Sequence, residues 1–168
     1  MVVKNKELTY WHSQMNSKMS TIISVRAQPE HEASVEARIQ PNRPPRILLV
    51  EDEKPIRDIL VLILFQAGFD CREAADGRAA MDLLRSGTRI NLVLSNMLLP
   101  KVDGWTLFLH VKQSYPKIPF VFVTAIDDSG VREVAAREGA AGYLLKPFER
   151  EEFLTTVREA LYFTSTCR

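Results

Sequence analysis

Four short segments of the chain carry side chains suited to chemistry on a phosphoryl group: Glu51-Asp52-Glu53, Ser95-Asn96, Thr124-Ala125 and Lys146-Pro147-Phe148. Adjacent carboxylates on a loop make a hard-oxygen site for Mg²⁺, which takes one or two carboxylates together with waters and a phosphate. An ammonium and a hydroxyl nearby hold phosphoryl oxygens. Taken singly, each has an ordinary explanation, because acidic loops and surface lysines are common. Only their convergence on one rim makes a site, so the elements that would bring them together decide the matter.

Each segment follows an apolar, β-branched run. The runs are Arg46–Val50, Phe69–Arg72, Ile90–Ser95, Phe120–Thr124 and Gly142–Leu145. Runs such as Ile47-Leu48-Leu49-Val50 and Phe120-Val121-Phe122-Val123 are apolar without alternation, as strands buried on both faces must be. Helical segments lie between them. The first opens at Pro55 and stops at Gly68, with Ile56, Ile59, Leu60, Ile63, Leu64 and Ala67 on one stripe. The others are Arg78–Arg85, Gly104–Gln113, Val131–Arg137 and Arg150 to about Tyr162. Alternation of this kind requires crossover connections and predicts a doubly wound α/β fold with a parallel sheet. Function in such sheets collects at the carboxyl ends of the strands, where the four polar segments stand.

The chain has 168 residues, 46% of them hydrophobic and 26% charged, with a formal net charge of +1. That is one core and an appendage, without the basic surface that non-specific nucleic-acid binding needs. Partners on nucleic acid are not expected, and neither is a membrane span, since the longest uncharged apolar stretch, Ile59–Phe65, is far too short. Cys71 and Cys167 offer no metal spacing and no disulfide framework, which favours a reducing, cytoplasmic setting. Residues 1–45 lack a sustained apolar period and end in Pro41-Asn42-Arg43-Pro44-Pro45, the mark of a disordered arm with an extended linker. Tyr10 and Trp11 are the anchors by which such an arm would dock, and Met15 or Met19 is an alternative start of translation. The folded region is expected over residues 46–163, with 164–168 as a tail.

Over Arg46–Tyr162 the sequence resembles the receiver domain of bacterial two-component response regulators. Ile47-Leu48-Leu49-Val50-Glu51-Asp52-Glu53 resembles that family's first strand and acidic pair. Leu98-Leu99-Pro100 with Asp103-Gly104, then Val123-Thr124-Ala125 and Lys146-Pro147-Phe148, complete the likeness. The resemblance implies a CheY-like, flavodoxin-like fold: a five-stranded parallel sheet in order 2-1-3-4-5 flanked by five helices. It implies that a sensor histidine kinase donates a phosphoryl group to an aspartate ending strand three, with Mg²⁺ held by Glu51, Asp52 and the backbone carbonyl of Leu98. It also implies that Lys146 binds the phosphate and that Thr124 and Tyr143 rearrange.

The position of that aspartate is Asn96. An amide oxygen is neutral and a weak nucleophile, so acyl-phosphate formation there is not expected. One negative charge is also lost, which weakens Mg²⁺ binding and relieves repulsion in the empty cluster. The leading reading is a pseudo-receiver that signals by protein contact, stands alone, has no output domain and is not an enzyme. The alternatives are an orthodox phosphoaccepting receiver in which the aspartate has been replaced by design, and deamidation of Asn96, which the bulky Met97 makes slow. Ser95 is no substitute acceptor, because strand alternation turns its side chain from that of Asn96. A phosphatase of the haloacid dehalogenase type needs two aspartates separated by one residue, and Glu51-Asp52-Glu53-Lys54 lacks them.

With no metal bound, Lys146 is expected to pair with Asp52. Cys71 is expected as a small buried side chain, His110 as structural, and Tyr143 as either switch or core. At 100° per residue, Val61, Leu62 and Phe65 fall opposite the core stripe of the first helix and form a docking surface for a kinase or another signalling protein. The face from strand four to helix five is the other candidate surface.

Overall fold

The structure is a computed structural model that describes residues 43–166. Tyr10, Trp11, Cys167 and all but the last three residues of the expected arm lie outside the described residues. Ten elements alternate without exception: β1 (Arg46–Val50), α1 (Lys54–Gln66), β2 (Asp70–Ala74), α2 (Gly77–Arg85), β3 (Leu92–Ser95), α3 (Gly104–Ser114), β4 (Phe120–Thr124), α4 (Ser129–Arg137), β5 (Gly142–Leu145) and α5 (Arg150–Thr166). All strand pairs are parallel, and the sheet order is β2-β1-β3-β4-β5.

Alternation along the strands sorts the core into two layers. Leu48, Val50, Val93, Phe120 and Phe122 face α2, α3 and α4, where they meet Ala80, Leu84, Leu107, Phe108, Val111 and Ala135. Ile47, Leu49, Leu92, Leu94, Val121, Val123 and Leu144 face α1 and α5, against Leu60, Leu64, Phe153, Leu154 and Val157. Both faces of β1, β3 and β4 are thus covered, which is why those runs lack polar alternation.

The helix boundaries follow from capping. Asp76, Asp103 and Asp128 each accept a hydrogen bond from a backbone N–H three residues on, at 2.8, 2.9 and 3.1 Å. These caps start α2 one residue and α4 two residues before the apolar period does. Gly68, with φ +85°, ends α1 where a side chain would be strained. α5 continues to Thr166, so it takes up part of the expected tail. β3 begins at Leu92 rather than Ile90, which is buried but unpaired in the sheet.

The apolar stripe of α1 differs from its expected phase. Ile59 is 59% exposed, beside Leu62 at 54% and Phe65 at 73%. Val61 instead packs against the core layer of α1 and α5. The solvent-facing apolar set is therefore Ile59, Leu62 and Phe65. The whole helix is apolar enough that a 100° projection leaves the phase ambiguous by one residue, and contact with β1 and β2 selects it.

Leu64 is fully buried and its neighbour Phe65 is mostly exposed, so the two should separate cleanly in stability. Leu64→Ala is expected to cost about 3 kcal/mol in urea unfolding, and Phe65→Ser to change it by no more than about 0.5 kcal/mol.

Candidate functional site

Parallel register carries the strand ends to one edge. Val50 lies opposite both Ala74 and Ser95, and Thr124 lies opposite Leu145. Backbone bonds continue the ladder past the strands: Glu51 N–H donates to Ala74 O, Asn96 N–H to Val50 O and Lys146 N–H to Thr124 O, at 3.1, 2.9 and 2.8 Å. The sheet thereby brings Glu51, Asp52, Asn96, Thr124 and Lys146 to one rim.

Glu51 is 1% exposed, and an unpaired carboxylate so deeply buried would be costly. Its partner is Lys146, whose Nζ lies 2.5 Å from Glu51 Oε2 with its side chain only 15% exposed. The expected pairing of Lys146 with Asp52 is therefore corrected. Asp52 is exposed, and its Oδ1 accepts a 3.2 Å hydrogen bond from Asn96 Nδ2. Burial explains the choice, because the ammonium goes to the carboxylate that water cannot solvate.

Ser95 is buried and its hydroxyl donates to the Asn96 carbonyl at 2.8 Å, which leaves it a structural residue. Thr124 is buried too, and its Oγ1 accepts from Ile126 N–H at 3.2 Å. Tyr143 reaches the same residue, donating its hydroxyl to Ile126 O at 2.7 Å. Burial pushes its phenol above the usual value, against the opposing pull of Arg132, whose guanidinium stands 5.3 Å over the ring. Tyr143 also packs on the layer that holds Trp105, Phe108 and Phe122. Leu98 is 66% exposed and stands apart from this packing.

Sequence reasoning missed Arg57. Its guanidinium donates to Glu51 O at 2.6 Å and contacts Asp52 O at 3.4 Å, pinning the acidic loop to the first turn of α1. The signal was its place four residues after Glu53, one helical turn into a segment read as a surface. Also missed was the clamp on the loop after β3. Lys101 holds a left-handed backbone, φ +66°, and its Nζ meets Asp76 Oδ2 at 2.6 Å.

Two other singled-out residues stay outside the site. Cys71 is half-buried against the α1 layer, and burial, reinforced by the Glu73 and Asp70 carboxylates, pushes its thiol up to about 12. Such surroundings disfavour the thiolate. His110 packs edge-on to Tyr115, with Nε2 buried and without a hydrogen-bond partner among the described residues.

The donors do not fit a divalent cation as they stand. Glu51 is taken by an ammonium, and Asn96 turns its NH₂ group rather than its oxygen toward Asp52. Among the described residues no group of three His, Cys, Asp or Glu side chains is placed to hold a metal ion. No helix among them is long and apolar enough to cross a membrane.

Comparison with known proteins bears on the family and the fold. The family model described as the response regulator receiver domain matches residues 47–158. The alkaline phosphatase synthesis transcriptional regulatory protein SphR of Synechococcus elongatus is 36% identical over 124 residues, which cover 69% of this chain and 48% of that protein. Sensor kinase CckA of Brucella abortus is 33% identical over 116 residues, 68% of this chain and 12% of that protein. The chain thus spans about half or less of these curated relatives. Among solved structures, the signal receiver domain of an HD domain-containing protein from Pseudomonas fluorescens Pf-5 superposes with a TM-score of 0.68 at 33% identity, covering 74% of this chain and 99% of that one. The non-phosphorylated HemR receiver domain from Leptospira biflexa gives 0.65 at 31% identity, covering 70% and 94%.

Two substitutions test how the loop after β3 is held. A Cβ at Gly104 would lie 2.1 Å from Asn96 O and 2.8 Å from Met97 Cα, both backbone. Gly104→Ala is expected to cost about 2 to 3 kcal/mol in urea unfolding. Asp76 is held below the usual carboxylate range, first by the hydrogen bond from Lys101 and then by that from Ala79 N–H. A depressed carboxylate stabilises above its unfolded pKa and loses that contribution as pH falls through the folded one. Asp76→Asn should therefore lower stability at neutral pH and flatten the loss of stability below roughly pH 4, read from urea midpoints between pH 2 and 7.

Proposed function

This chain belongs to the response regulator receiver family, and from that premise we propose that it is a phosphorylation-silent receiver, acting in two-component signalling through protein contact. Receiver domains are generally signalling modules that meet histidine kinases and other signalling proteins, and they usually bind Mg²⁺ at an acidic phosphorylation site. The observation that carries the proposal is Asn96. It ends β3 with its backbone N–H on Val50 O and its amide on Asp52, where the family places the attacking carboxylate.

The chemistry follows from the atom presented. A carboxylate oxygen attacks phosphorus with a full lone pair and negative charge, forms the acyl phosphate and expels the neutral imidazole. An amide oxygen has given that electron density to nitrogen, and here the amide offers N–H donors to the pocket. The supporting residues keep their places. Thr124 and Lys146 stand at the ends of β4 and β5, and Arg57 holds the acidic loop. Such a pocket serves as a folded brace for the surfaces around it. Loss of the third anion weakens Mg²⁺ binding, since affinity for hard cations follows ligand charge.

Contact is expected at the apolar face of α1, where Ile59, Leu62 and Phe65 are exposed one helical turn apart. Exposed apolar side chains grouped on one helix favour a protein partner over solvent, and a sensor histidine kinase or another signalling protein is the partner expected. The face from β4 to α5, which carries Tyr143, is the second candidate.

The test is intact-protein mass after incubation with Mg²⁺ and a small acyl-phosphate donor, run beside Asn96→Asp. The natural chain is expected to gain no phosphoryl group while Asn96→Asp does. A phosphoryl gain on the unaltered chain would instead establish an orthodox receiver, with another acceptor or a deamidated Asn96.

A further inference from the structure

The pocket's cation belongs to the chain. We propose that the Lys146 ammonium, seated on the buried carboxylate of Glu51, takes the place of a divalent ion in the pocket and keeps Mg²⁺ out of it. The inference rests on the reading of Asn96 as a neutral, non-accepting residue, and it adds what occupies the site instead.

Three observations carry it. Glu51 is buried to 1% exposure and must have a counter-ion; among the described residues, the cationic group bonded to its carboxylate is Lys146. Arg57 is close, but it binds the carbonyl oxygens of Glu51 and Asp52 and leaves the carboxylate to Lys146. Asn96 then removes the competition. With an amide at this position, the ammonium has no third carboxylate to turn to, and Asp52 is satisfied by Asn96 Nδ2.

The charges of Glu51, Asp52 and Lys146 leave one net negative charge, too little to hold a divalent cation against its hydration. An entering Mg²⁺ would have to push the ammonium off Glu51 and turn the Asn96 amide to show its oxygen. Lys146 is tethered at the end of β5, whose backbone N–H is bound to Thr124 O, so the displaced group remains at high local concentration and competes continuously. The same pair joins the end of β1 to the end of β5 across the sheet, although β3 and β4 lie between them. The pocket is then set in one arrangement without a ligand.

The experiment follows free Mn²⁺ by electron paramagnetic resonance, with Mg²⁺-dependent Tm as a second readout, on the full chain. The unaltered protein is compared with Asn96→Asp, Lys146→Met and the double variant Lys146→Met with Glu51→Gln. The unaltered chain is expected to bind Mn²⁺ about tenfold more weakly than Asn96→Asp and Lys146→Met, or weaker still, with a Tm that Mg²⁺ does not move. Lys146→Met is expected to have a lowered Tm that Mg²⁺ raises, and adding Glu51→Gln to abolish that rise. Binding of Mn²⁺ by the unaltered chain as tight as by Lys146→Met overturns the proposal, as does a Lys146→Met chain that folds and ignores both metals. Should Lys146→Met fail to fold, Lys146→Gln takes its place with the same two outcomes, and equal binding by the unaltered chain and Asn96→Asp overturns the proposal. Phosphoryl mass measured on the same samples keeps the two readings apart. Mn²⁺ binding without a phosphoryl gain defeats only the tethered cation, and a phosphoryl gain on the unaltered chain defeats the silent receiver.

Discussion

Parallel pairing of five strands imposes one direction on every strand, and so gathers every strand's carboxyl end at a single edge. Everything of chemical interest in this protein depends on that constraint. Glu51, Asn96, Thr124 and Lys146 come from segments up to 95 residues apart, yet Thr124 is the last residue of β4 and the others directly follow β1, β3 and β5. Helices on both faces seal the sheet against water, so a side chain at its rim is half inside a low-dielectric medium. That setting makes a buried carboxylate at the end of β1 demand a partner, and it makes the ammonium at the end of β5 the nearest answer.

Aromatic packing and hydrogen bonding supply the rigidity beneath the rim. Trp105 stacks on Phe122 at 5.9 Å, and Phe108 meets Phe120 and Phe122 edge-on at 5.2 and 5.3 Å. Above them Thr124 and Tyr143 both bond the backbone of Ile126, one accepting from its N–H and the other donating to its carbonyl. The loop after β3 is fixed from the opposite side by Lys101 on Asp76 and by the close approach of Val102 to Gly77. Contacts from several directions hold the rim in one geometry.

Much of this was legible in order of residues. Unbroken apolar runs announced buried parallel strands, Pro55 and Gly68 bounded the first helix, and the polar segments after the strands announced a rim. Other details escaped besides the Lys101–Asp76 clamp. The phase of α1 was misjudged because an almost wholly apolar helix gives a weak periodic signal, so Ile59 and Val61 exchanged roles. Lys146 was assigned to Asp52 because both adjacent carboxylates looked alike in sequence, while only one is buried. Arg57 drew no assignment because its value lies in reaching back to backbone carbonyls, which have no letter in a sequence.

By itself, then, the sequence determined the alternating elements, the sheet they build and the polar residues that follow its strands, an amide at position 96 among them, since each follows from residue type and local periodicity. Only the tertiary structure decided which carboxylate is desolvated, which group neutralises it and which apolar side chains of α1 are left to solvent. Those are differences in burial between residues of the same kind, and burial is a property of the packed chain rather than of any segment within it.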